Sequence, residues 1–118
     1  MDEKMFKERT KRLGIAVIGL VDKLPRSIAA ETIGRQIVRS STSVGANYRV
    51  VCRAKSTADM INKFKIVEEE SDETAYWLEI LTESKILNQT QVASIAKETD
   101  EILAMTVASL KTLRGRKS

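Results

Sequence analysis

The sequence predicts an all-α protein, an antiparallel up-down-up-down four-helix bundle. Three observations carry this. Apolar residues recur at helical spacing along nearly the whole chain. The single proline and five glycines leave few places to turn. No alternating strand pattern or hairpin signal competes. A chain of 118 residues can bury one core but not two, so residues 1–118 read as one domain.

The first helix is expected from about Asp2 to Leu24, with Phe6, Leu13, Val17, Leu20 and Leu24 as its inward stripe. Pro25 closes it. Ser27 can cap the second helix, with Glu31 near its first turn, and that helix is expected to reach about Ala54. Its stripe is Ile33, Ile37, Ser40, Val44, Asn47 and Val51, in steps of 4, 3, 4, 3, 4. At about 100° per residue these share one side. Ser56 or Thr57 caps the third helix, and Ser56-x-x-Asp59 is a variant capping box. Its stripe is Met60, Phe64, Val67, Ser71, Thr74, Leu78 and Leu81. Asn88-Gln89-Thr90 breaks the chain, and Thr90 is the expected cap of the last helix. That helix carries Val92, Ile95, Thr99, Ile102, Thr106, Leu110 and Leu113, and a short basic tail follows at 114–118. Helices this long joined by short breaks must run antiparallel to their neighbours.

Several inward positions are polar. Ser and Thr there let helices approach closely and return their hydroxyl bonds to their own backbone. Ser40 and Asn47 mark the core register on helix two. A buried amide must find partners, so Asn47 is expected to fix alignment between helices. A ligand pocket around Asn47 is the alternative.

The chain contains no histidine, which removes His-dependent triads, His-bearing zinc sites and the Glu-x-x-His pairs of di-iron bundles. One cysteine, Cys52, can form neither an internal disulfide nor a thiolate metal site, and it reads as a packing residue. No glycine-rich phosphate loop is present. The expected protein is therefore not an enzyme and needs no cofactor or metal. No apolar run is long enough to span a bilayer, and the charged opening Met1-Asp2-Glu3-Lys4 does not resemble a signal peptide, so the expected location is cytoplasmic.

Charge is segregated by helix. With 20 basic and 16 acidic residues the chain carries a net charge of +4. Between Glu31 and Asp59 there is no acid, while Arg35, Arg39, Arg49, Arg53 and Lys55 all occur. The four arginines cluster nearly opposite the inward stripe of their helix. From Ile66 to Ser84 there is no base but seven acids: Glu68, Glu69, Glu70, Asp72, Glu73, Glu79 and Glu83. Two readings stand. The basic helix pairs with the acidic one, within a chain or between chains. Alternatively the arginine face tracks the phosphates of RNA or DNA, which suits the planar guanidinium fork.

A second apolar set lies far around the helices from the inward stripes: Ile15 and Ile18 on helix one, Ile66, Trp77 and Ile80 on helix three. A bundle buries one stripe per helix, so these five are expected at a homo-oligomer interface, with a wider core face as the alternative.

Two stretches resemble a known family. Arg39-Ser40-Ser41-Thr42-Ser43-Val44-Gly45-Ala46-Asn47 resembles the central motif of the four-helix-bundle proteins encoded in 23S rRNA intervening sequences. The run from Phe64 to Leu78, with Glu73-Thr74 followed by Trp77-Leu78, resembles their third-helix motif. Phe6-Lys7-Glu8-Arg9-Thr10 and Leu24-Pro25 fit as well. The resemblance implies a non-enzymatic bundle assembling as a homopentamer. It extends to the accessory variability proteins of diversity-generating retroelements, basic pentameric barrels whose implied partners are nucleic acid and a reverse transcriptase. The chain departs from the pattern at Val50, where an acid is usual, which leaves the helix-two face more basic.

Overall fold

A computed structural model describes residues 2–117. Four helices follow one another: α1 Glu3–Val21, α2 Ile28–Val51, α3 Thr57–Glu83 and α4 Gln89–Lys117. No strand occurs among the described residues. Each helix packs against its neighbours in sequence, and α4 returns to α1 to close the ring of contacts, while the diagonal pairs do not meet among the described residues. This is the expected up-down-up-down bundle, a rod of 49 × 21 × 19 Å.

Capping sets most of the ends. The Asp2 carboxylate accepts from the backbone N–H groups of Lys4 and Met5 and starts α1. Ser27 and Ser56 start α2 and α3 as expected, through bonds from the N–H groups of Ala30 and Asp59. The cap of α4 is Asn88 rather than Thr90. Its Oδ1 accepts from the Gln91 N–H at 2.9 Å, and Gln91 Oε1 accepts from the Asn88 N–H at 2.9 Å. That reciprocal pair satisfies two donors at once, which a lone Thr90 hydroxyl cannot do.

Two helices end earlier than the sequence suggests, α1 at Val21 rather than Leu24 and α2 at Val51 rather than Ala54. After Val21 the chain tightens into i→i−3 bonds, Lys23 N–H to Leu20 C=O and Leu24 N–H to Val21 C=O, so α1 is finished before Pro25. The same tightening at Arg53 and Ala54 ends α2 at Val51. Lys85 turns out of α3 with φ 65°, a left-handed conformation unusual outside glycine. By contrast, the sequence around 114–117 is not a tail, because α4 continues through it; Ser118 lies outside the described residues.

The inward stripes are largely as expected. Phe6, Leu13, Val17, Ile37, Val44, Val67, Leu81, Ile102 and Leu110 are the buried frame. Leu24, Ile33, Met60 and Ile95 sit at its edges, half-buried. The polar core residues behave as their chemistry demands. Ser71, Thr74, Thr99 and Thr106 each donate to the carbonyl one turn back. No buried side-chain polar atom lacks a partner among the described residues. At one end of the rod the Tyr48 ring meets Phe6 edge-on at 4.7 Å and Phe64 at 5.7 Å, tying α1, α2 and α3 together. Among the described residues no helix is long and apolar enough to cross a membrane.

Candidate nucleic-acid interface

The α2 stripe buries Ile37, Ser40, Val44 and Val51, so its opposite side must face out. Arg35, Arg39 and Arg49 lie there, exposed, and Arg53 and Lys55 are exposed just beyond the helix end. Arg35 and Arg49, both within α2, lie about 21 Å apart along the axis.

Their partners separate them. Arg39 reaches across to α3, donating to Glu70 at 2.8 Å and to Glu73. Glu73 also accepts from the indole N–H of Trp77 at 3.0 Å. That bond, with the Arg39 guanidinium beside it, holds the Glu73 carboxyl below the usual carboxylate range. Arg35, Arg49, Arg53 and Lys55 have no carboxylate within ion-pair distance among the described residues. Pairing of the basic helix with the acidic one within the chain therefore accounts for Arg39 and leaves the other four bases open.

Two sets of charged residues carry no weight in the sequence pattern yet matter in the fold. Lys4, Lys7 and Lys11 lie on one side of α1 and line a groove with Arg49 of α2. Their 3 and 4 residue spacing is the signal that could have found them. Arg9, on the other flank of α1, clamps α4 by donating to Glu98 at 2.6 Å and Glu101 at 2.9 Å. That pair joins residues far apart in the chain and leaves no local pattern.

The five apolar residues expected at a subunit interface form two groups, not one. Ile15 and Ile18 are 55% and 47% exposed and lie in the α1–α2 groove. Ile66 is 37% exposed on α3, while Trp77 and Ile80 are half-buried. Trp77 packs against the core and meets Tyr76 edge-on at 5.1 Å. The wider core face thus takes part of Trp77.

Of the two candidate register residues, Ser40 bonds across to another helix and Asn47 bonds within its own. Ser40 is fully buried and shares a 2.9 Å hydroxyl bond with Thr74 of α3. The Asn47 amide is half-buried and donates to the Ser43 carbonyl and hydroxyl, one turn back in the same helix, at 2.8 Å each. With its donors satisfied locally, it makes no hydrogen bond to another helix among the described residues. Cys52 packs at the edge of the core, and burial raises its thiol pKa, which disfavours a reactive thiolate.

The two family-like stretches meet in space. Arg39 pairs with Glu70 and Glu73, and Ser40 bonds Thr74, so motif residues of α2 and α3 form one seam. Gly45, within the first motif, lies against the Thr10 and Lys11 backbone of α1. Some of the residues that carry the resemblance thus pack the bundle.

A solved structure has the same fold. A protein of unknown function from the S23 ribosomal protein family, from Bacteroides thetaiotaomicron VPI-5482, is 32% identical. The match covers 94% of this chain and 99% of that one, with a TM-score of 0.85. No curated protein matches. Residues 3–108 match the profile of the 23S rRNA-intervening sequence proteins. With its helix order, its α2–α3 seam and this match over most of its length, the chain belongs to the 23S rRNA-intervening sequence protein family.

Proposed function

We propose that this protein is a non-catalytic, self-associating bundle that binds RNA or DNA through the outward basic face of α2. The observation that carries this is the contrast along that face. Arg39 has two carboxylate partners, whereas Arg35, Arg49, Arg53 and Lys55 have none among the described residues. Neighbouring cations without counter-charges repel one another, and a polyanion laid along them relieves that repulsion while releasing its own counterions. The family's name, which ties it to rRNA, supports RNA as the first polyanion to test.

The test is an Arg35/Arg49/Arg53→Gln triple variant titrated with RNA over a range of salt. Affinity should fall, and the slope of log affinity against log salt should flatten by about 0.7 to 0.9 for each phosphate left unneutralised. Unchanged affinity and slope would remove the reading.

A second reading has its own support. Glu68, Glu69, Asp72, Glu79 and Glu83 of α3 take part in no ion pair among the described residues. If they receive the arginines of another copy, the same triple variant dissociates in light scattering while RNA affinity stays as it was.

A further inference from the structure

We infer that the groove between α1 and α2 is a binding site for single-stranded nucleic acid, holding phosphates at its cationic end and bases at its apolar end. This rests on the reading of α2 as a phosphate-binding face and adds a strand preference to it.

Two stripes form the groove walls. On α1, Lys4, Lys7, Lys11, Ile15 and Ile18 recur in steps of 3, 4, 4 and 3, so they share one side. All five are exposed. On α2, Thr42, Ala46 and Arg49 face them. The helices are antiparallel, so Arg49 stands at the lysine end and Thr42 toward the isoleucine end. Charge and apolar surface are therefore sorted along one groove.

Glycine keeps its floor low. A Cβ on Gly14 would stand 3.3 Å from Thr42 Cα, and one on Gly45 would stand 3.2 Å from the Thr10 carbonyl carbon. The two helices meet backbone to backbone, and no side chain rises between the walls at these positions. From Lys4 to Ile18 the groove runs about 21 Å.

The charges at the cationic end are largely uncommitted. Glu8 is the one carboxylate lining the groove; it pairs with Arg12 at 2.9 Å and approaches Lys11 at 3.6 Å. Lys4, Lys7 and Arg49 have no carboxylate within ion-pair distance among the described residues. A duplex could satisfy these cations but would leave Ile15 and Ile18 facing water, because its bases are stacked inside. A single strand carries phosphates and exposed base faces together and matches both ends.

The test uses the intact protein and anisotropy with three labelled probes: an oligouridylate of about 12 nucleotides, the matching oligothymidylate, and an RNA duplex of that length. The wild type should prefer both single strands to the duplex. Ile15→Ala/Ile18→Ala should weaken single-strand binding by about fourfold per isoleucine and leave duplex affinity unchanged. Lys4→Gln/Lys7→Gln should flatten the salt slope for the single strands. Equal affinity for strand and duplex, untouched by the isoleucine changes, would overturn the inference. So would a fall in assembled mass in the isoleucine variant without loss of single-strand binding, since the groove would then be a subunit contact. An Arg35→Gln/Arg53→Gln variant separates this from the broader reading. If it weakens duplex binding while the groove variants bind every probe as wild type does, only the groove inference falls. If no probe binds the wild type, both fall.

Discussion

Glu73 is the carboxylate on which the α2–α3 seam converges, accepting from Arg39 and from Trp77. Both bonds favour its charged form, so its folded pKa lies below the unfolded value. The sign follows from linkage. The seam contributes stability above the ordinary glutamate range and loses it as pH falls through the lowered pKa. The side chain is a third exposed, so solvent screens the effect. The Trp77 bond is the largest single cause, ahead of the Arg39 bond, and the Arg39 charge adds to the same direction. Trp77→Phe and Arg39→Gln should therefore each raise the Glu73 titration midpoint, which carboxyl NMR across an acid titration can read. A midpoint that stays put in Trp77→Phe would show the indole bond to be weak in solution. At this scale the sequence was partly legible. Charge segregation pointed to pairing of helices two and three, and Arg39 does it. Periodicity could not say that Asn47 would be satisfied within its own helix by Ser43, nor that the Ser40 and Thr74 hydroxyls would supply the cross-helix bond.

The α1–α2 pair shows how an element contact depends on what is missing from a side chain. Gly45 faces the backbone of Thr10 and Lys11, which cannot rotate away as a flexible side-chain end could. Gly45→Ala should push the helices apart and cost about 1 to 3 kcal/mol. Gly19, also on α1, has nothing within 4 Å of an added Cβ. Gly19→Ala should instead stabilise by about 0.5 to 1 kcal/mol, since alanine gives up less chain entropy in a helix. Urea unfolding of the two variants should move the midpoint in opposite directions. A Gly45→Ala midpoint at or above wild type would mean the helices repack freely. The helix bodies were readable because burial and the 3.6-residue period coincide. The ends were less so: Pro25 marks a limit, but tightening of the final turn ends α1 at Val21, before that limit is reached. Thr90 looked like a cap in isolation, whereas Asn88 wins because Gln91 returns the bond.

For the whole molecule, the order of packing follows from short links between long helices, and that much was in the sequence. The closing seam between α1 and α4 is the thinnest of the four, and the Arg9 pairs with Glu98 and Glu101 lie across it. What encloses the bundle from outside is the assembly reading. Ile66 stands 37% exposed on α3, with Trp77 and Ile80 half-buried on the same helix, and water is a poor partner for such a side chain. Trp77 is a blunt probe of assembly, because it also packs the core and bonds Glu73. Ile66 is the cleaner one. On the assembly reading, Ile66→Glu places a charge where copies would meet, so it should keep them apart. In a dissociated chain the same glutamate faces solvent and should change unfolding by under about 0.5 kcal/mol. Light scattering at tens of micromolar protein, paired with urea unfolding, reads both. The family resemblance implies five copies for the wild type, and a wild type that scatters as a monomer would end the assembly reading. A variant that keeps its full mass would leave self-association standing but move the interface off Ile66, toward the isoleucines of the α1–α2 groove.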